Sequence, residues 1–179
     1  MKVSIEHIQD CCKEIREDRP YTDFPVLLEL VHDGTCRITG PVSIDVRVCR
    51  EHNQYRADGT VSMPIGVTCS RCLCDFEQNV ASTLSVLFKP GVLQDDDRDE
   101  IELDERDLIT TGFVGDEIDL ASEIAEHLAL AVPLKPLCSE HCQGLCPQCG
   151  AAKSAGPCGC STLDKPSKFA VLKDFKVRS

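Results

Sequence analysis

The stretch that decides the fold is CRITGPVSIDVRV, residues 36–48. Apolar side chains fall on its even positions, and polar side chains fall on most of the odd positions between them. Successive side chains of a strand point to opposite faces, so this period of two predicts a half-buried β-strand. Gly40 and Pro41 interrupt the alternation and predict a bulge or a bend within it.

The same alternation continues on both sides of two short polar turns. Residues 55–69 carry it on odd positions and residues 74–88 carry it on even positions, with turns at 51–53 and 69–74. Three alternating segments joined by short turns predict an antiparallel meander with one apolar face. Further strands are predicted at residues 25–31, 3–8 and 108–114, which gives a sheet of five to seven strands.

One helix is predicted at about residues 119–132. Asp119 can cap it, and Leu120, Ile124 and Leu128 recur at helical spacing before Pro133. The predicted fold class is therefore α+β: an antiparallel β-sheet meander, with a barrel-like closure left open, covered by one main helix. We assign residues 1–137 to this domain and residues 138–179 to a cysteine-rich tail with a basic C-terminus.

Charge is unevenly distributed along the 179-residue chain, whose net charge is −11. Acidic residues crowd an expected loop at about 91–107, whereas lysines and Arg178 dominate residues 161–179. A strongly acidic chain does not coat a phosphate backbone unaided, although it attracts a basic partner such as a ribosomal protein. The simpler interpretation is that these acidic residues form a solvated loop.

The N-terminus and the hydropathy pattern predict a cytoplasmic protein with no membrane partner. No apolar run approaches the roughly 20 residues that a membrane helix needs, and charges occupy the place of a signal peptide's apolar core. A reducing cytosol argues against a disulfide framework for the 13 cysteines. Cys11, Cys12, Cys36 and Cys49 carry no spacing signal, and we interpret them as packing or incidental residues.

Six cysteines crowd the start of the tail. The predicted metal ligands are Cys138, Cys142, Cys146, Cys149, Cys158 and Cys160. Cys146-Pro147-Gln148-Cys149-Gly150 is typical of a knuckle that brings two thiolates together, and thiolates suit a structural zinc ion. Two sets of four remain open: a ribbon of the last four cysteines, or a tight site of the first four. His141 is an alternative ligand.

A second pair, Cys69 and Cys72, also has the spacing of a knuckle. Cys69 and Cys74 are in phase with the apolar faces of their strands, so simple burial of two small residues is the favoured interpretation. Joining the tail as metal ligands and acting as a redox pair are the alternatives.

No motif nominates a nucleophile, a general base or a small-molecule substrate pocket. The five histidines are scattered, and phosphate-binding glycine loops and nucleophile elbows are missing from the sequence. The sequence therefore predicts no catalytic residues and no enzyme.

Four motifs in order resemble a known family. They are CSRCL at 69–73, the segment 117–134, CQGLCPQCG at 142–150 and KFAVL at 168–172. Together they resemble the bacterial large ribosomal RNA subunit accumulation protein family, also called YceD, from about residue 36 onward. The resemblance implies a non-enzymatic role in the synthesis, processing or stability of 23S ribosomal RNA.

Partners follow from the same resemblance. Family members are often encoded beside a small protein of the large ribosomal subunit, so either that kind of protein or precursor 23S ribosomal RNA is expected. Two rival functions remain: a zinc-stabilised RNA-binding module, and a redox or metal-dependent enzyme that uses the cysteine cluster.

Overall fold

The computed structural model describes residues 1–8, 12–91, 109–156 and 158–160, apart from the side chain of His7. The acidic loop predicted at 91–107, beyond Gly91 itself, and the basic segment at 161–179 lie outside the described residues.

Ten elements of regular structure follow one another along the described chain, besides short 3-10 turns. In chain order they are β1 (Lys2–Ser4), β2 (Lys13–Arg19), α1 (Pro25–His32), β3 (Arg37–Ile38), β4 (Val42–Glu51), β5 (Gln54–Thr68), β6 (Asp75–Pro90), β7 (Thr110–Phe113), β8 (Glu117–Asp119) and α2 (Leu120–Ala131).

The strands form two sheets. The larger, six-stranded sheet has the order β2-β4-β5-β6-β7, and β3 also pairs with β5. Its pairings are antiparallel except that of β6 with β7, which is parallel. A two-stranded sheet joins β1 to β8. Within the described residues the larger sheet is open rather than closed into a barrel, because β2 and β7 each pair on one side only.

The meander is confirmed, and its alternation creates the core. Burial alternates strictly from Val42 to Val48 in β4, and Leu84, Val86 and Phe88 of β6 are buried in the predicted phase. Helix α2 covers this apolar face through Leu120, Ile124 and Leu128, which are fully buried. The predicted helix is confirmed, and its N-cap is Asp119, whose Oδ1 accepts from the Ala121 N–H at 2.9 Å.

The strand predicted at residues 25–31 is wrong, because this segment is the helix α1. Pro25 occupies its first turn, where a missing N–H costs nothing. Leu27 is fully buried while its neighbour Leu28 is 41% exposed. A short run of apolar residues fits either element, and periodicity alone does not separate them.

Two other predicted strands are present, but one differs from the prediction in its direction and the other in its length. The returning strand is β7, but it lies parallel to β6, so the sheet is mixed. The N-terminal strand is confined to Lys2–Ser4, and a 3-10 turn follows at Ile5–Ile8. No helix in the described part of the chain is long and apolar enough to cross a membrane.

Candidate metal centres

Cysteines from two distant parts of the chain meet at one end of the sheet. Cys69 and Cys72 lie in the turn between β5 and β6, and Cys138 and Cys142 follow α2. Their four sulfur atoms all lie within 4.8 Å of one another. The Sγ atoms of Cys72 and Cys138 are 3.6 Å apart, and those of Cys69 and Cys142 are 3.8 Å apart. We call this set the hairpin centre.

A tight backbone turn presents the first two sulfurs of the hairpin centre. The Cys69 N–H donates to the Cys74 carbonyl at 2.8 Å, and the Leu73 N–H donates to the Cys69 carbonyl at 3.0 Å. Leu73 has φ of 60°, a left-handed conformation that is rare for a residue with a branched side chain. The turn therefore accepts local strain at the point where Cys69 and Cys72 approach each other.

The turn also holds the segment after α2 in place. The Ser70 N–H donates to the Pro136 carbonyl at 2.9 Å. The Arg71 guanidinium donates to the carbonyls of Cys142, at 3.0 Å, and Glu140, at 3.2 Å. Gly144 has φ of 70°, and a Cβ there would lie 2.9 Å from the Arg71 carbonyl oxygen. Arg71 thus positions the downstream cysteines against the hairpin.

The electrostatics of the hairpin centre favour one thiolate in particular. Backbone N–H groups, that of Cys138 first and then those of Cys72 and Arg71, lower the pKa of Cys69 to about 5. The neighbouring thiols of Cys72 and Cys142 instead raise the pKa of Cys138. A bound cation would favour the deprotonated form of all four sulfurs, so metal binding here would release protons.

Four more cysteines form a second set further along the tail. The sulfurs of Cys146, Cys149, Cys158 and Cys160 also lie within 4.8 Å of one another. We call this set the ribbon centre.

Local hydrogen bonds shape the knuckle of the ribbon centre. The Gly150 N–H donates to the Cys146 carbonyl at 2.9 Å, and the Cys146 N–H donates to the Ala151 carbonyl at 2.8 Å. Gly150 has φ of 73°, which glycine adopts without cost. Backbone N–H groups, that of Cys149 before that of Gln148, lower the pKa of Cys146 to about 6. The thiols of Cys149 and Cys158 raise the pKa of Cys160 to about 12.

The structure divides the six predicted ligands between two centres. The last four form the ribbon centre, one of the two sets left open by the sequence. Cys138 and Cys142 do not complete a tight site with Cys146 and Cys149, because they lie beside Cys69 and Cys72. His141 belongs to neither group and is exposed.

Cys69 and Cys72 are the candidate ligands that the favoured sequence interpretation missed. Both are buried, as the strand phase of Cys69 predicted, yet their sulfurs face the tail cysteines. Their spacing of two residues at a hairpin was the available signal. The predicted burial of Cys74 is wrong, because Cys74 lies in the turn just before β6 and is exposed. Its Sγ lies 3.1 Å from that of Cys72, outside the group of four.

One pair of cysteines interpreted as packing or incidental residues forms a disulfide. Cys12 and Cys49 are bonded at the edge of the sheet, 37 residues apart in sequence. The register of β2 with β4 explains the pairing, since Lys13 lies opposite Val48 and so brings Cys12 opposite Cys49. Cys36 is a buried thiol, in line with the packing interpretation.

The donor sets of both centres suit the same kind of ion. Four thiolates around one point match a tetrahedral, soft-to-borderline metal, and they leave no open coordination position. Closed sets of this kind are typical of structural metal sites. In the hairpin centre a bound ion would join the sheet to the segment after α2.

These features define an α+β domain whose β5–β6 hairpin meets a cysteine-rich tail. The family model described as large ribosomal RNA subunit accumulation protein YceD matches residues 57–176, and the chain belongs to this family. The match includes most of β5 and all of β6, α2 and both centres, so the resemblance read from the sequence is confirmed.

Curated relatives agree with this assignment. An uncharacterised protein of Mycobacterium tuberculosis is 34% identical over 118 residues, which cover 65% of this chain and 53% of that protein. Two plant proteins carry the name large ribosomal RNA subunit accumulation protein YCED homolog 1, chloroplastic. The one from Arabidopsis thaliana is 25% identical over 182 residues, covering 90% of this chain and 53% of the relative.

The second plant relative, from Zea mays, is 27% identical over 170 residues, covering 80% of this chain and 57% of its own length. The chain therefore spans about half the length of the curated relatives it matches. No solved structure matches it significantly.

Replacing Cys146 and Cys149 together with serine is expected to release the metal of the ribbon centre while the sheet stays folded. The ribbon centre draws all its sulfurs from residues 146–160, so its loss cuts no link to the sheet. Metal analysis and thermal unfolding check this, with the exposed Ser154→Ala as a control. Cooperative loss of the whole domain in the double variant would contradict it.

Proposed function

We propose that the chain is a ribosome-biogenesis factor that supports the accumulation of large-subunit ribosomal RNA, which in a bacterium is 23S ribosomal RNA. The observation that carries the proposal is the family match over residues 57–176. The two plant relatives named for this process support it, since their similarity extends over 80% or more of this chain.

The proposed role is non-enzymatic, and both centres hold structural zinc. The support for zinc is the donor chemistry, because closed sets of four thiolates are typical of structural zinc sites. The hairpin centre then fixes the cysteine-rich tail to the β5–β6 hairpin. Synthesis, processing and stability of the RNA are the steps at which such a factor acts.

The proposed partner is precursor 23S ribosomal RNA or a protein of the large subunit, in the cytoplasm. The acidity of the chain supports a basic protein as the direct contact, since a net charge of −11 opposes direct binding to phosphate.

Depletion of the protein in its own organism tests the role. We expect the ratio of 23S to 16S ribosomal RNA to fall and precursor 23S species to change, with rescue by the wild-type chain. The 16S ribosomal RNA serves as the internal control. An unchanged ratio after full depletion would contradict the proposal.

A pull-down of the tagged full chain, with and without RNase, identifies the direct contact. Large-subunit proteins that remain after RNase treatment would support a protein contact. Recovery of precursor 23S ribosomal RNA without RNase, and loss of this RNA and of all co-purified proteins after RNase treatment, would support an RNA contact.

A further inference from the structure

Strand β6 is paired along its full length on one side only. Its register with β5 runs without a break from Asp75 to Phe88. On the other side it pairs with β7 only from Leu87 to Pro90. No strand among the described residues lies beside residues 75–86 on that side. We call this stretch the β6 edge.

The ladder with β5 fixes which backbone groups point outward. The bond from the Cys69 N–H to the Cys74 carbonyl sets the phase, so even-numbered residues of β6 pair with β5. The N–H and C=O groups of Glu77, Asn79, Ala81 and Thr83 therefore point away from the sheet. All four residues are exposed.

The β6 edge carries two acidic residues, Asp75 and Glu77, but few of the other features that protect an exposed strand. Residues 75–86 contain no lysine and no proline, and the unbroken register shows no bulge. Natural sheets normally carry such features at an edge to prevent pairing with another chain. A largely unprotected edge of this length is suited to accept a further strand.

Helix α2 runs beside the β6 edge in the opposite direction. Near its start Glu123 accepts a hydrogen bond from Thr111 of β7, at 2.9 Å. One turn later the Nδ1 atom of His127 lies 3.5 Å from the hydroxyl of Ser82 in β6. The chain after α2 then reaches the hairpin, where Pro136 accepts from Ser70.

Exposed leucines follow this path. Leu130 continues the side of α2 that bears His127, since residues three apart are neighbours on a helix, and it is 86% exposed. Leu134, in the segment leading to the hairpin, is 100% exposed, and Leu73 at the turn is 65% exposed. Three exposed leucines along the path from α2 to the hairpin leave apolar surface available to a partner.

The opposite face of the β6 edge bears the carboxylates of Asp75 and Glu77, and residues 75–86 include no cationic side chain. The Arg37 guanidinium of β3 lies further in, beside Gly66, the β5 partner of Glu77. A strand added here would place alternate side chains beside α2 and beside these carboxylates.

We propose that the β6 edge binds an extended segment of a separate protein in which apolar and basic residues alternate. The apolar side chains pack on Leu130 and Leu134, and the basic side chains face Asp75 and Glu77. Backbone hydrogen bonds to Asn79, Ala81 and Thr83 supply affinity. The inference goes beyond the proposed function, because binding of such a segment does not depend on which step of RNA synthesis, processing or stability the chain supports.

The test uses the whole 179-residue chain and a synthetic peptide of about ten residues that alternates valine and lysine, a length at the upper end of the usual range for strands. An isomer with all valines before all lysines has the same charge and composition. We expect fluorescence anisotropy to show binding of the alternating peptide about tenfold tighter than that of the isomer. Hydrogen exchange should slow at Asn79, Ala81 and Thr83 when the alternating peptide binds.

Two variants place the binding at the β6 edge. Ala81→Pro removes an outward N–H, and Glu14→Pro is its matched control at the opposite edge of the sheet, on β2. Only Ala81→Pro should weaken binding, by about tenfold or more. Glu77→Lys reverses an exposed charge that the basic side chains of the peptide face, so this variant should also weaken binding. It keeps the test decisive if Ala81→Pro fails to fold.

Several results would overturn the proposal. They are equal binding of both peptides, binding that neither Ala81→Pro nor Glu77→Lys weakens, and slow exchange of the outward amides in the free protein. Self-association that Ala81→Pro abolishes would assign the edge to a second copy of the chain. Footprinting of RNA onto residues 75–86 would assign it to nucleic acid.

Discussion

Replacing Cys72 with serine is expected to remove one of two bound metal ions and to lower the free energy of unfolding by about 4 kcal/mol. Cys72 is buried and its Sγ lies 3.6 Å from that of Cys138, at the meeting point of the hairpin and the tail. Loss of a structural metal is among the few single changes with so large an effect. Metal analysis and chemical denaturation measure the two parts of the result.

Cys74→Ser is the matched control for this prediction. The Sγ atom of Cys74 lies 3.1 Å from that of Cys72, yet Cys74 is exposed and outside the group of four. It should keep both ions and near wild-type stability. If Cys72→Ser also keeps two ions, or if Cys74→Ser loses one, the ligand set of the hairpin centre is wrong.

Gly59→Ala is expected to destabilise the fold by about 3 kcal/mol, because the added methyl group overlaps backbone. A Cβ at Gly59 would collide with the carbonyl oxygen of Asp45 and would lie 2.6 Å from the Val46 Cα. These atoms belong to β4, whose Val46 pairs directly with Gly59. Relief therefore requires β4 and β5 to separate at the centre of the sheet. Chemical denaturation checks the loss.

Gly66→Ala, on the same strand, provides the comparison. A Cβ there meets only side-chain atoms, at ordinary contact distances of 3.5 Å from Arg37 and Thr39. Its effect should stay far smaller than that of Gly59→Ala. Equal losses for the two variants would show that glycine-to-alanine changes act on β5 through something other than contact with β4.

The central sheet was predictable because its information is local. Each of β4, β5 and β6 alternates over enough residues to reveal its inward face, and short polar turns leave little choice of pairing. Segment 25–31 was predicted wrongly because a short, mostly apolar run does not show a clear period. Its true helical form depends on Pro25 and on packing that places Leu27, but not Leu28, in the core.

Only the tertiary structure shows which cysteines share a metal centre. Spacing alone groups Cys138 with Cys146, since they are near in sequence. The path of α2 instead returns Cys138 to the turn that holds Cys69 and Cys72, more than 60 residues earlier in the chain. The disulfide of Cys12 with Cys49 likewise follows from strand register, and sequence spacing carried no trace of it.

The most direct test of two metal centres is the native mass of the full-length protein. The account predicts a mass that exceeds the polypeptide by two zinc ions, and Cys72→Ser and the Cys146→Ser, Cys149→Ser variant should each retain one. A wild-type chain that carries no metal, or a wild-type chain that carries only one ion which is absent from both variants, would contradict it.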